Sequence, residues 1–142
     1  MNQEFINKLN ALIAYWTNEG IKLNTGIDDD LIKKLESDLG YCFDDNFKYY
    51  LQKVNGFADF ESDESWFSFW SHTRIKDENS STHPKEVIWF ADHSLNLCSF
   101  GFHKTDRKIY THFDKQDKIM FIVNSFNEFI DIYLDNPYLL VL

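Results

Sequence analysis

The chain has 142 residues, the length of one domain, and 44% of them are hydrophobic, so it can bury a core without a disulfide or a metal ion. Its 14 basic and 23 acidic residues give a formal net charge of −9, which argues against binding to nucleic-acid phosphates or anionic membranes. The acidic excess lies mainly in residues 1–71, which carry −7 against −2 in residues 72–142. Such a charge favours binding to basic partners. The alternative explanation is that the charge only keeps the protein soluble and monomeric. We expect a single domain over residues 1–142.

The sequence gives no indication of export, membrane insertion or metal binding. The N-terminal segment has no basic region before an apolar core and no cleavage site, and no run approaches the ~18 apolar residues needed to span a bilayer. We therefore expect a cytoplasmic protein that does not contact membranes. Cys42 and Cys98 stand in unlike contexts without metal-ligand spacing, and Cys98, in the apolar run LNLCSFGF, is expected to be a buried free thiol.

Two helices are predicted near the N-terminus. Apolar residues at helical spacing predict the first over about residues 2–18, and a polar connector, KLNTG, follows it. Asp28 is placed to cap the second helix and Gly40 to end it. The three aspartates at 28–30 are therefore explained as a helix start rather than as a metal cluster, since acidic residues in the first turn suit the helix dipole.

The chain then changes from helices to strands. A third helix is expected to begin after Asp44 and to stop at Asn55 and Gly56. Beyond it the runs WFSFW, EVIWFA, LNLCSFGF, KIYTHF and KIMFIV are short, aromatic and β-branched, which is typical of strands. The longest stretch between them, SHTRIKDENSSTHP, is polar, and we interpret it as an exposed loop.

The last three runs predict an antiparallel meander. The gaps KTDR and DKQD have the length of hairpin loops. The first hairpin pairs Phe102 with Ile109, and the second brings Met120 and Ile122 to the same apolar face. The opposite face is not fully polar, so we expect it to be partly covered.

The end of the chain predicts one more helix. Ser125 and Glu128 form a capping box, and an apolar stripe follows until the helix stops near Pro137. The tail YLLVL is apolar and is expected to pack against the domain or to meet a partner. The element order predicts an α+β fold with N-terminal helices, a mainly antiparallel sheet of about five to six strands with a meander, and a C-terminal helix.

Several stretches of the chain resemble the SUKH superfamily. The pattern L-E-x-x-L-G occurs at residues 35–40, and a helix with Phe47 and Leu51 precedes the dipeptide at Asn55 and Gly56. Farther along, VIWFAD and KIYTHF are similar to strands of the superfamily, and SFNEFIDIYL is similar to its closing helix. The similarity covers about residues 25–135.

The resemblance implies protein binding and brings no catalytic motif with it. The superfamily includes a yeast cell-wall-assembly regulator and many bacterial immunity proteins, which are thought to neutralise toxins, often nucleases, by binding them. Our first hypothesis is a bacterial immunity protein whose partner is a cognate toxin domain, basic in charge, such as a nuclease. The alternative is a regulatory scaffold domain that binds endogenous cell-wall or signalling proteins. We expect a monomer or weak homodimer.

An enzyme is a third hypothesis, and the sequence offers little for it. Asp92 and His93 are the tightest acid–histidine pair, but adjacent residues of a strand point to opposite faces. No phosphate-binding loop, nucleophile elbow or zinc-protease motif occurs. We therefore expect no catalytic residue, no metal ligand and no cofactor.

The stretch ADFESDESWFSFW, residues 58–70, contains the candidate binding site. The side chains predicted to contact a partner are Asp59, Glu61, Asp63, Glu64, Trp66 and Trp70, because aromatic anchors beside charges suit protein interfaces. Strand alternation places Phe67 and Phe69 in the core and turns both tryptophans outward. The alternative is a solvated loop that leads to a strand of core aromatic residues.

Overall fold

The structure is a computed structural model that describes residues 2–81, 83–116 and 118–141. Its helices are α1 (Gln3–Asn18), α2 (Asp29–Leu39), α3 (Asp45–Lys53), α4 (His72–Asn79) and α5 (Phe126–Asp135), with a 3₁₀ helix at Pro137–Leu140. Its strands are β1 (Leu23–Thr25), β2 (Val54–Phe57), β3 (Phe67–Phe69), β4 (Val87–His93), β5 (Cys98–His103), β6 (Ile109–Phe113) and β7 (Met120–Val123).

Strands β3 to β7 form one antiparallel sheet in which each strand pairs with the next along the chain. Strands β1 and β2 form a separate antiparallel pair. With helices before the sheet and α5 after it, the predicted α+β fold and its meander are confirmed.

The first face of the sheet packs against α1, α3 and α5 through aromatic side chains. The ring of Phe47 on α3 lies 5.4 Å from that of Phe90 on β4, between centroids, and 5.0 Å from that of Phe102 on β5. Phe129 on α5 lies 5.3 Å from Phe100. Each fully buried phenylalanine stabilises the fold by about 1.5–3 kcal/mol, and edge-to-face contacts add to that. This aromatic layer holds α3 and α5 on the sheet.

The meander has the predicted register except at its last strand. Phe102 pairs with Ile109, as expected from the KTDR hairpin. In the next hairpin Thr111 pairs with Met120, but a bulge shifts the ladder so that Ile109 pairs with Val123. Val123 therefore takes the buried position that was predicted for Ile122, and Met120 is half-exposed. A one-residue bulge changes which side chains face the core, and the alternation pattern does not reveal it.

Helix α4 lies within the stretch that the sequence analysis interpreted as an exposed loop, so that interpretation is wrong for residues 72–79. Ile75 is the one buried hydrophobic residue of this helix, so the sequence has no apolar stripe that would predict the helix. Polar contacts hold it instead: the Asn79 amide oxygen accepts from the backbone N–H of Trp89 at 2.8 Å, and its NH₂ donates to the Trp89 carbonyl at 2.8 Å. Helix α4 thereby covers part of the second sheet face, as expected for a face that is not fully polar.

Two other polar stretches are also more ordered than predicted. The connector KLNTG contains β1, which pairs with β2. The expected helix stop at Asn55 and Gly56 lies inside β2, whose four residues are all buried. Asn55 accepts from the backbone N–H of His72 at 2.7 Å, so it fixes the start of α4. Gly56 has φ +65° and lies against the backbone of Trp70, where a Cβ atom would not fit.

The predicted helix ends are confirmed in three places. Asp28 accepts from the backbone N–H of Leu31, Gly40 ends α2 in the left-handed conformation, and Ser125 accepts from the backbone N–H of Glu128. Asp44 stands at the N-cap of α3 but makes no capping hydrogen bond, because its carboxylate accepts from the Arg107 guanidinium at 2.8 Å.

Candidate functional site

The acidic loop, residues 59–64, connects β2 to β3 and is built around the buried carboxylate of Asp63. One oxygen of Asp63 accepts from the backbone N–H groups of Ser65 at 2.8 Å and Phe67 at 2.9 Å, and the other accepts from the Tyr133 hydroxyl. Burial raises the pKa of Asp63, and these hydrogen bonds oppose the rise. The structure places this side chain inside the protein, which disagrees with its predicted place among partner contacts.

The other carboxylates of the loop lie at the surface. Asp59 and Glu64 are exposed and Glu61 is partly exposed. Among the ion pairs of the described residues, none includes Asp59, Glu61 or Glu64. Their charge is therefore not neutralised by a neighbouring side chain in that part of the chain, and it projects into solvent.

Glu64 lies beside α1, where its negative charge is close to that of Glu19. It accepts from the Tyr15 hydroxyl at 3.2 Å, and its charge raises the pKa of Glu19. Burial, followed by the charge of Glu64, raises the pKa of Tyr15 to about 12. A groove of about 500 Å³ opens here, and its lining includes Tyr15, Glu64, Asp135 and Tyr138.

The two tryptophans predicted to point outward behave differently. Trp66 is 60% exposed, whereas Trp70 is 1% exposed, so the outward orientation predicted for Trp70 is wrong. Alternation does place Trp70 on the second sheet face, opposite Phe67 and Phe69, but helix α4, which begins after Ser71, covers that face and buries the ring under Arg74. The indole N–H of Trp70 then donates to Asp92 at 2.8 Å.

Arg74, on α4, completes this buried centre. Its guanidinium donates to Asp92 at 2.7 Å and stacks over the Trp70 ring at 4.9 Å from the centroid. It also donates to the side chain of Asn96 at 3.3 Å, in the turn between β4 and β5. Burial raises the pKa of Asp92, while the Trp70 indole and the Arg74 charge oppose the rise. The centre fixes α4 and the β4–β5 turn relative to each other.

Three apolar side chains surround the mouth of this centre and form what we call the apolar cluster: Phe60, Trp66 and Leu95. Phe60 is 87% exposed and Leu95 80% exposed, and with Trp66 they are the most exposed large apolar side chains among the described residues. Together they line a depression of about 20 Å³ whose other walls include Arg74 and Asp92.

All members of the apolar cluster have a left-handed backbone, with φ of 67° at Phe60, 71° at Trp66 and 55° at Leu95. This conformation costs roughly 1–2 kcal/mol for a residue with a Cβ atom. Bulky residues are rarely found in it, and such strain is frequent at functional sites.

Hydrogen bonds between the two loops hold this arrangement. The backbone N–H of Ser94 donates to the Trp66 carbonyl at 3.0 Å, which ties the β4–β5 turn to the segment between the acidic loop and β3. The Trp66 N–H donates to the Asp63 carbonyl at 3.1 Å. The apolar cluster is thus displayed on two connected loops over a fixed polar base.

Of the predicted site residues, the structure keeps Asp59, Glu61, Glu64 and Trp66 at the surface. Phe60 and Leu95, which are also at the surface, are not among the predicted site residues. The available signal was their context, since each is a bulky apolar residue between polar residues of a turn, DFE and SLN. A hydrophobic residue in a polar turn has no core position to fill and is therefore a candidate for contact with another molecule.

Asp92 and His93, the adjacent acid–histidine pair, make contacts that stabilise the fold. Asp92 bonds to Trp70 and Arg74 on one face of the sheet, while the ring of His93 packs 4.9 Å from that of Phe67 on the other. Within the part of the chain that the structure describes, no three His, Cys, Asp or Glu side chains are grouped so that they could hold a metal ion.

Comparison with known proteins assigns the family. Among the described residues, no helix is both long and apolar enough to cross a membrane. No individual curated protein matches the sequence. The sequence model of the SMI1 / KNR4 family (SUKH-1) matches residues 26–132, which extend from the start of α2 into α5. The chain therefore belongs to the SMI1 / KNR4 family (SUKH-1).

Proposed function

We propose that the protein is a bacterial immunity protein that binds a cognate toxin domain in the cytoplasm and neutralises it. The family supports a protein-interaction module of the immunity type. The observation that carries the proposal for this chain is the acidic loop, whose surface carboxylates lie beside exposed apolar side chains. A surface that combines charge with aromatic anchors suits binding to another protein.

The partner is proposed to be basic, because the net charge is −9 and the acidic loop has the surface carboxylates Asp59, Glu61 and Glu64. A nuclease is a suitable example, since it needs a basic face to hold phosphates. An acidic protein bound to that face would exclude the substrate and would attract the toxin at long range. Neutralisation then needs no catalytic residue in this chain.

The test is capture of the partner from the native host at low salt, with the retained proteins identified by mass spectrometry. The binding variant carries Asp59→Lys, Glu61→Lys and Glu64→Lys. The matched control carries Asp77→Lys, Glu86→Lys and Asp114→Lys, three exposed acidic residues outside the acidic loop. Both variants have the same net charge, so only a local role of the loop separates them.

The expected result is capture of a toxin domain by the wild type and the control, and its loss with the binding variant. The captured domain should also lose its activity when one equivalent of the protein is added. Capture of endogenous cell-wall or signalling proteins instead of a toxin would contradict the proposal and support the regulatory scaffold.

The free protein is proposed to be a monomer or a weak homodimer. Strand β7 is at the edge of the sheet, with Met120 and Phe121 half-exposed, so it offers a small surface for self-association. Sedimentation velocity over a range of concentrations measures this. A stable dimer at micromolar concentration would contradict the expectation.

A further inference from the structure

We propose that Phe60, Trp66 and Leu95 form a rigid apolar anchor for the partner, and that the partner presents to it a patch of apolar side chains bordered by lysine or arginine. The inference rests on the proposed function, because it specifies the chemistry by which the same side of the protein would hold its partner.

The side chains of the apolar cluster are exposed, although a folded protein usually buries such residues. Large apolar side chains of a folded protein are usually placed against the core, as are Phe67 and Phe69 immediately after the acidic loop. The apolar cluster instead presents three of them to solvent around one depression. Exposed apolar side chains that occur together and are bordered by charge mark surfaces that bind other proteins.

The backbone of the apolar cluster is held in a strained conformation. Each residue of the apolar cluster is held at positive φ, where asparagine or glycine would be less strained. The hydrogen bonds of Asp63, Ser94 and Arg74 keep the two loops in this shape. A surface that is already ordered loses little conformational entropy on binding, so this arrangement favours affinity.

The size of the depression and the charges near it identify the kind of occupant. The depression encloses only about 20 Å³, far less than the few hundred Å³ of a typical small-molecule site, so a protein surface must cover the apolar cluster from outside. Glu61 lines the depression, and Asp59 and Glu64 lie in the same loop. Charge complementarity therefore requires a basic border around the apolar patch of the partner.

The first experiment uses three capped heptapeptides as probes: Lys-Lys-Leu-Phe-Leu-Lys-Lys, its analogue with a Ser-Ser-Ser centre, and its analogue with glutamate in place of lysine. Two-dimensional ¹H–¹⁵N NMR follows the indole N–H of Trp66 and the backbone of residues 59–66 and 94–97. We expect the first peptide to bind at least 10-fold more tightly than either analogue. Equal affinities, or no shift with the first peptide at millimolar concentration, would overturn the proposal.

The variants Phe60→Asn and Leu95→Asn remove the apolar side chains while tolerating the left-handed backbone. They are expected to weaken binding of the first peptide at least 10-fold and to leave the urea midpoint unchanged or slightly higher. The control is Leu31→Asn, which removes an exposed leucine of α2. Binding that is equal in all three variants would also overturn the proposal.

The same variants separate this proposal from the proposed function. If a toxin domain is captured and the Phe60→Asn, Leu95→Asn double variant binds it as the wild type does, the anchor is wrong while the immunity function stands. If the peptides bind as expected but the captured partner is not a toxin, the anchor stands and the immunity function is wrong.

Discussion

The hydroxyl of Tyr133 donates a hydrogen bond to the carboxylate of Asp63, and this contact joins helix α5 to the acidic loop. The same carboxylate accepts from the backbone N–H groups of Ser65, two residues before β3, and Phe67, the first residue of β3. The shape of the proposed binding surface therefore depends on a buried residue that a partner would not touch.

Loss of this contact is expected to destabilise the protein. Asp63→Ala should lower the free energy of unfolding by about 3 kcal/mol, because buried donors lose their acceptor. Tyr133→Phe should cost about 2 kcal/mol, since it removes a donor to Asp63 and the acceptor of the Trp16 indole N–H. Urea denaturation followed by tryptophan fluorescence measures both values.

The matched control is Tyr138→Phe, which removes a hydroxyl from a half-exposed tyrosine next to α5. It should change the free energy of unfolding by no more than about 0.5 kcal/mol. The importance of the Asp63 contact would be refuted if Tyr133→Phe and Tyr138→Phe had the same urea midpoint.

Gly56 and Gly40 provide a second comparison. Both have positive φ, but a Cβ atom at Gly56 would lie 2.5 Å from the carbonyl carbon of Trp70, whereas one at Gly40 would meet nothing within 4 Å. Gly40→Ala should therefore cost about 1 kcal/mol, from its backbone conformation alone. Gly56→Ala should cost at least about 3 kcal/mol, because the backbones of β2 and β3 must separate. Equal losses in thermal or urea unfolding would contradict the close approach.

Local patterns allowed most of the fold to be predicted. Helix α2 is predicted by the Asp28 cap and the Gly40 stop, both of which depend on nearby residues. Helix α4 is not predicted in this way, because distant partners hold it in place: Asp92 binds Arg74, and Trp89 binds Asn79. Those partners are known only once the sheet has formed, and the local Ser71 cap, without an apolar stripe after it, does not predict a helix.

The candidate site was less predictable for a related reason. Alternation along WFSFW correctly buried Phe67 and Phe69 and put Trp70 on the opposite face, but it could not show that α4 covers that face. Counting carboxylates could not separate Asp63, which bonds to the distant Tyr133, from its exposed neighbours. The partners of a polar side chain decide whether it belongs to the surface, and those partners come from the tertiary fold.

The pair Glu19 and Glu64 predicts a pH effect. The charge of Glu64 raises the pKa of Glu19 above its ordinary value of 4.5, so the folded protein binds this proton more tightly than the unfolded chain does. The proton on Glu19 therefore contributes to the stability of the fold below pH 4.5, and this contribution is lost as the pH rises through the raised pKa of Glu19. Glu64→Gln should return the pKa of Glu19 toward 4.5 and remove this dependence. A ¹³C NMR titration of the Glu19 carboxyl group measures it.

Glu61→Gln is the control for that titration, since Glu61 is not among the groups that shift the pKa of Glu19. The expected curve for this variant coincides with that of the wild type. If Glu61→Gln and Glu64→Gln moved the curve equally, the effect would belong to the general charge of the protein rather than to this pair.

The two cysteines should differ in reactivity. Cys42 is exposed, whereas Cys98 is buried, and burial raises the pKa of its thiol to about 11. Because the thiolate is the reactive form, the native protein should release one equivalent of chromophore from a disulfide reagent at about pH 8. Cys42→Ser should abolish that reaction until urea is added. Rapid labelling of the native Cys42→Ser variant would contradict the burial of Cys98.

Association with the captured toxin domain should depend strongly on salt. Screening between about 10 and 150 mM ionic strength is expected to lower the association rate constant at least about 10-fold, while the dissociation rate constant changes little. The variant with lysine at residues 59, 61 and 64 should associate more slowly and with a weaker salt dependence than the control with lysine at residues 77, 86 and 114. Stopped-flow tryptophan fluorescence measures these rates. If both variants associated equally slowly, the net charge alone would guide the encounter. A wild-type association rate that did not change with ionic strength would exclude electrostatic steering.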